Sequence, residues 1–147
     1  MTSMTEEARL ALLAKSAAEQ NLAKLALCPP WRHAAFAALM AGLVSTPAFS
    51  PPIRFGLLAI IFAAIALIVR WDRRRLGVFI NGYRRGKTRR VTFPMLVVIL
   101  GFYSASFYCG DVLHRPVFSF ALAAMAFGAG YAGSVIWQRV FVRELGA

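Results

Sequence analysis

The alternation of charged and uncharged stretches divides the chain into four long apolar runs. These runs cover residues 34–53, 55–69, 91–110 and 116–138, and each lies between two charged residues or a histidine and a charged residue. A helix needs about 20 residues to cross the roughly 30 Å hydrocarbon core of a bilayer. The third and fourth runs, with 20 and 23 residues, therefore predict two membrane-spanning helices.

The first two runs predict a tight hairpin of spans. Prolines cluster at the end of the first run, so we expect its helix to bend or stop near residues 47–50. The second run has only 15 uncharged residues and needs Arg54 and Arg70 to extend toward the two interfaces. A re-entrant pair that enters and leaves on one side is the alternative.

The composition supports a membrane protein. Hydrophobic residues make up 59% of the 147 residues and charged residues only 16%, against about 25% charged in an ordinary soluble domain. A chain of this size cannot hide so much apolar surface from water. This apolar composition excludes a soluble enzyme domain and a disordered tail. A disulfide-stabilised secreted module is excluded as well, since there are only two cysteines.

The predicted fold is therefore an all-α integral membrane protein with four transmembrane helices in a compact bundle. We expect spans at about 34–50, 54–71, 91–111 and 116–138, which together form a transmembrane domain over residues 34–138. A basic cytosolic loop at 70–90 joins the second and third spans. A short cytosolic tail at 139–147 follows the fourth.

Basic residues are distributed unevenly among the segments between the runs. The formal net charge is +11; the N-terminal segment, the middle loop and the tail carry 15 of the 17 basic residues, and the other two loops carry one each. Lys and Arg are retained in cytoplasmic loops, so this asymmetry predicts a multi-pass protein of the inner (cytoplasmic) membrane. Both termini are expected in the cytoplasm, which requires an even number of spans.

The segment before the first span, residues 1–33, predicts an amphipathic cytosolic helix with an interface anchor. Residues 4–27 have helical spacing of apolar positions, and Ser3 with Glu6 fits a capping box. Cys28-Pro29-Pro30 ends this helix, and Trp31-Arg32-His33 is typical of the membrane interface. The helix either lies on the bundle or the membrane surface, or it binds a soluble partner. We expect the first span to act as its own insertion signal, since Glu6 and Glu7 leave no signal-peptide pattern.

The basic middle loop predicts contact with anionic lipid head groups. Its candidate contact residues are Arg73, Arg74, Arg75, Arg84, Arg85, Lys87, Arg89 and Arg90. The simplest interpretation is that the loop retains the chain's orientation and touches head groups. No motif of a nucleic-acid-binding module accompanies these bases, so we expect membrane lipids as partners and no nucleic acid.

Polar residues at the outer end of the third span form a candidate cluster. Its members are Tyr108, Cys109, Asp111 and His114, with Arg115 next to them. The cluster is either a ligand or proton site or, as we favour, a set of interfacial groups that closes a short loop. It lacks the ligand number and spacing of a metal site, so no metal is expected.

No other cofactor is expected either. The two histidines, His33 and His114, are predicted on opposite sides of the membrane and cannot both bind one haem. Cys28 and Cys109 are likewise too far apart for a disulfide.

Small residues at helical spacing predict close helix packing. Gly42, Gly128, Gly130 and Gly133 are the candidate contact positions, since small side chains let transmembrane helices approach. The face from Gly128 to Ser134 is expected to contact either another helix of the chain or a second copy.

No arrangement typical of nucleophilic or metal-dependent catalysis is visible, so we do not expect an enzyme. The predicted function is a non-catalytic, structural or regulatory role that depends on binding a protein partner or lipid. The alternative is a small transporter or channel subunit that acts as a homo-oligomer.

Overall fold

The computed structural model describes residues 2–25, 29–76 and 87–144, and within these ranges every regular element is helical. The five α-helices are α1 (Thr2–Leu25), α2 (Pro30–Ser45), α3 (Pro51–Leu76), α4 (Arg89–Phe107) and α5 (Pro116–Glu144). A 3₁₀ turn (Thr46–Ala48) follows α2, and a π turn (Tyr108–Val112) follows α4.

Three helices have the length and apolarity needed to cross a membrane. They cover Pro51–Arg75, Arg89–Val112 and Pro116–Glu144, with 25, 24 and 29 residues. At about 1.5 Å per residue each is longer than the roughly 30 Å apolar core. These segments coincide with the second, third and fourth predicted spans. The first predicted span corresponds to α2, which has 16 residues and is shorter than this requirement.

Proline sets the boundaries of α2. Pro30 occupies the first turn, where a missing N–H costs no hydrogen bond, and Pro29 before it has an extended backbone. Pro47 then follows the end of the helix at Ser45, and the chain continues as a tighter 3₁₀ turn before Phe49 becomes extended. The predicted break near residues 47–50 thus occurs just before Pro47.

The helix ends meet in two groups. At one end, which we call the basic end, α2 begins, α3 ends, α4 begins and α5 ends. Arg32 pairs there with Asp72, and the Lys87 amide donates to the Glu144 carboxylate. The Ser106 hydroxyl donates to the Val44 carbonyl at the other end, which we call the opposite end. The four helices therefore run alternately between the same two ends.

The centre of the bundle is the packing of α2 and α4 on α5, and α2 and α4 also contact each other. Buried Val44, Ile99, Ala123 and Ala126 form the apolar core. Gly130 lets α5 approach α2, because a Cβ there would lie 3.3 Å from the Ala37 Cα. This close approach is the kind of backbone contact that stabilises helices in lipid.

The other candidate packing glycines have different surroundings. Gly133 faces Met95 of α4, and Gly42 faces Ile61 of α3. Gly128 faces open space, with no heavy atom near a built Cβ. The face from Gly128 to Ser134 thus directs Gly130 and Gly133 toward helices of the same chain.

Helix α3 lies at the edge of the bundle. It packs chiefly against α2, and Ile61, opposite Gly42, is its one buried hydrophobic among the described residues. Large apolar side chains cover much of its remaining surface, for example Phe55, which is 68% exposed. In a bilayer this surface has lipid as its solvent.

The N-terminal helix extends over Thr2–Leu25, close to the predicted range of 4–27. The described side chains along it are exposed, including Leu10 and Leu13. The amphipathic character of this helix, and its position on the bundle or the membrane surface, stay predictions. Cys28 lies outside the described residues.

Candidate functional site

The last turns of α3 carry a shallow groove with a polar half and an apolar half. Its described lining is Ala66, Val69, Arg70, Arg73 and Arg74, and its volume is about 590 Å³. These positions follow the i, i+3, i+4, i+7, i+8 spacing of one helix face. The small side chain of Ala66 leaves space beneath the long arginine side chains. The groove therefore combines cationic and hydrocarbon surface within two turns.

The opposite face of the same α3 segment is fixed to α2. The carboxylate of Asp72 accepts hydrogen bonds from Arg32, one of them 3.0 Å long from Nε. The Trp71 ring meets the Trp31 ring edge to face, with 4.8 Å between centroids, and the Arg75 guanidinium lies 5.4 Å from the Trp71 centroid. These contacts hold the groove in a fixed position on the bundle.

Helices α4 and α5 add further basic residues to the basic end. The Arg89 guanidinium lies 4.9 Å from the centroid of the Phe93 ring, one turn further along α4. On α5, a second shallow groove of about 220 Å³ is lined by Gln138, Arg139, Val142 and Arg143. Bases from three helices thus share one end of the bundle.

The sequence-predicted lipid contacts are partly within this end. Arg73, Arg74 and Arg75 belong to α3 and Arg89 and Arg90 to α4, so the described parts of the predicted loop continue the helices. Lys87 lies in the turn before α4. Arg84 and Arg85 lie outside the described residues. Arg70, Arg139 and Arg143 line grooves here, although they were not among the predicted contacts.

The opposite end is organised around an ion pair between Arg54 and Asp111. The Arg54 guanidinium donates to both carboxylate oxygens, at 2.9 and 2.5 Å. It also donates to the carbonyls of Pro47 and Phe49, each at 3.3 Å, and lies 5.7 Å from the Phe107 ring centroid. This bidentate geometry joins the start of α3 to both turns of the opposite end.

The residues of the predicted outer cluster lie in the π turn and in the short loop that follows it. Asp111 pairs with Arg54 of α3, Tyr108 is 56% exposed, and the Cys109 carbonyl accepts a hydrogen bond from the Arg115 amide. His114 has a φ of 51°, a left-handed conformation that a non-glycine residue adopts mainly in turns. Asp111 is thus part of a structural contact between two turns.

Sequence reasoning missed the partner of Asp111. Arg54 is separated from it by 57 positions, and the available signal was that both residues were predicted on the outer side. Among the described residues, no group of three His, Cys, Asp or Glu side chains is placed to hold a metal ion.

A second missed feature is the burial of His33. The sequence predicts this residue at the membrane interface, at the start of the first span; in the structure it is 7% exposed and faces Ser134 of α5. Its Nδ1 is 2.8 Å from the Ser134 hydroxyl, and its ring is 6.1 Å from the ring of Tyr131. The hydrogen bond satisfies a polar group inside the helix pair, which is the usual condition for burying one.

Comparisons with protein-family models, with curated proteins and with solved structures found no match to this chain. Function is therefore inferred from the residues of the chain itself. The basic end presents exposed cationic side chains beside apolar helix surface. The opposite end, in contrast, uses its acid, Asp111, to bind its own Arg54.

Proposed function

We propose that the chain is a four-span protein of the inner membrane with both termini in the cytoplasm. Support for a fourth span comes from α2, which runs between the same two ends as the longer helices. Its 16 residues and the three of the 3₁₀ turn give a length of about 30 Å, at about 1.5 and 2.0 Å per residue. This length matches the apolar core of a bilayer.

The proposed role is non-catalytic binding of anionic membrane lipids through the basic end. The observation that carries it is the groove on α3, in which Arg70, Arg73 and Arg74 lie directly beside Ala66 and Val69. A phospholipid has the same division, with an anionic phosphate next to acyl chains. Each base near an anionic surface contributes about 1 kcal/mol, and a guanidinium can donate two parallel hydrogen bonds to a phosphate.

The exposed helix α1 supports the second part of the proposed role, which is binding of a protein partner. Its described side chains are exposed, and apolar Leu10, Leu12 and Leu13 are among them. An exposed helix with several apolar side chains has surface available for a partner or for the membrane.

The orientation is tested by labelling single cysteines in intact cells. In a background with Cys28→Ser and Cys109→Ser, we expect an impermeant maleimide to modify Arg115→Cys, which lies at the opposite end. We expect Arg139→Cys, at the basic end, to react only after the cells are permeabilised. Each variant removes one arginine, so the pair is matched in charge. Labelling of Arg139→Cys in intact cells would contradict the proposed orientation.

The lipid-binding role is tested by the composition of lipid that stays with the purified protein. The protein is reconstituted in vesicles of phosphatidylcholine and phosphatidylglycerol and re-extracted in mild detergent. We expect the retained lipid to be enriched in phosphatidylglycerol, less so at high salt because salt screens the charges. Retention of the two lipids in the supplied ratio would contradict the role.

A variant pair then assigns the enrichment to the basic end. Replacing Arg70, Arg74, Arg89 and Arg90 by glutamine is expected to remove most of it. The double variant Arg9→Gln/Lys15→Gln on α1 is the control and is expected to keep it. Equal loss in both variants would contradict the assignment of the lipid preference to the basic end.

A further inference from the structure

The groove on α3 faces away from the rest of the bundle. Ile61 marks the side of α3 that contacts Gly42 of α2. Arg70 follows nine residues later, which is about two and a half helical turns, so it lies on the opposite side of the helix. Arg70 and Arg74 are exposed, and the groove has no lining residue from another described helix.

The surface of α3 that continues from the groove toward the opposite end is narrow and apolar. Gly56, Ala59 and Ala63 are exposed on the same side as Ala66, and a Cβ built on Gly56 would meet no atom within 4 Å. From Arg70 to Gly56 the helix rises about 21 Å, more than the roughly 15 Å thickness of one hydrocarbon leaflet. An extended acyl chain can therefore lie along this surface from the basic end toward the bilayer centre.

We propose that this groove is a discrete site for one anionic phospholipid of the cytoplasmic leaflet. The phosphate binds between Arg70 and Arg74, and one acyl chain packs over Ala66 and Ala63. This assignment rests on the proposed function and deepens it, because it replaces a general attraction at the basic end by a single located ligand. The occupant follows from charge, since the groove is cationic at the head-group level and apolar beyond it.

Neither a second copy nor an acidic protein fits the groove as well. Two copies related by a two-fold axis along the membrane normal would place Arg70 and Arg74 against their own equivalents, which is repulsive. An acidic protein would satisfy the arginines but would leave the apolar half, at Ala66 and Val69, without a partner. A phospholipid satisfies both halves.

The test counts tightly bound lipid by native mass spectrometry after reconstitution in nanodiscs of phosphatidylcholine with phosphatidylglycerol. We expect one phosphatidylglycerol to stay with the wild-type protein. Each basic contact contributes about fivefold, so Arg70→Gln/Arg74→Gln is expected to weaken retention roughly 30-fold. The control Arg89→Gln/Arg90→Gln removes the same charge from the same end of the bundle but from outside the groove, and it is expected to keep the single bound lipid while it lowers the general enrichment.

A steric variant tests the shape of the groove independently of its charge. Ala66→Phe fills the apolar half without changing any charge, and we expect it to lose the bound lipid while the general enrichment in phosphatidylglycerol persists. Equal loss in the Arg70/Arg74 and Arg89/Arg90 variants, or full retention in Ala66→Phe, would overturn the discrete site and leave the proposed function standing. Absence of any preference for phosphatidylglycerol in the wild-type protein would overturn both.

Discussion

Gly110 lies where the two turns of the opposite end come closest, and its replacement by alanine measures how tightly they pack. A Cβ at this position would be 2.5 Å from the Pro47 carbonyl oxygen and 3.2 Å from the Ser119 hydroxyl. Ordinary van der Waals contact begins at 3.4 Å, so the turns would have to separate by about 0.9 Å. The contacted atom is backbone and cannot rotate away.

The expected cost follows from two opposing effects. Introducing a methyl group into a packed contact costs about 1–3 kcal/mol, whereas alanine is favoured over glycine by about 1 kcal/mol inside a helix. Gly128→Ala carries the same helical gain in open surroundings. The free energy of unfolding of Gly110→Ala should therefore be about 1–3 kcal/mol below that of Gly128→Ala.

Titration of the folded protein in mixed micelles with sodium dodecyl sulfate measures this difference, with tryptophan fluorescence as the readout. Trp31 and Trp71 are in mutual contact and Trp137 stacks on Phe141, so unfolding changes the environment of each. Gly101→Ala, also in open surroundings, serves as a second control.

Equal unfolding free energies for Gly110→Ala and the two controls would refute the reasoning. That result would mean that the π turn and the 3₁₀ turn do not approach closely. The position of Arg54 between the same two turns would then also need revision, because it donates to the Pro47 carbonyl and to Asp111.

Two further predictions concern contacts inside the bundle, and the same detergent titration measures both. Gly130→Leu should lower the unfolding free energy by about 1–3 kcal/mol, because the larger side chain separates α5 from Ala37 of α2. The control Gly128→Leu should stay within about 0.5 kcal/mol of wild type. Similar unfolding free energies for the two variants would contradict the assigned α2–α5 contact. Ser106→Ala removes the donor to the Val44 carbonyl and should lower the unfolding free energy by about 1 kcal/mol. The control Ser104→Ala, at an exposed position, should lower it little. An equal loss of unfolding free energy in the two variants would argue against the buried hydrogen bond.

Much of the helical architecture follows from the length of the uncharged runs. The third and fourth runs predict spans because their charged boundaries and their lengths agree with a bilayer. The second run predicts a span less clearly, since Arg54 and Arg70 bound only 15 uncharged residues. In the structure, α3 includes these residues and extends over Pro51–Leu76, because charged side chains at the two ends find partners without leaving the helix.

Long-range pairing was not predictable from the sequence in the same way. The partners Arg32 and Asp72 are 40 positions apart, and His33 and Ser134 are 101 apart. Charge counting assigns each residue to a side of the membrane but does not select a partner on that side. Helical periodicity places a residue on a face, and the packing of α2 on α5 then decides that His33 is buried.

The way α3 is attached explains why the groove proposed for a lipid is on this helix. With none of its most apolar window buried, α3 gains little from packing, and its position depends on Arg54 at one end and Asp72 at the other. Both attachments lie on the α2 side or at the turns, and no described residue of another helix lines the groove. In a bilayer, lipid would meet this surface, and we propose that the arginines at its basic end favour an anionic head group over a neutral one. The weak packing that makes α3 peripheral is thus the same property that would give the proposed phospholipid access to it.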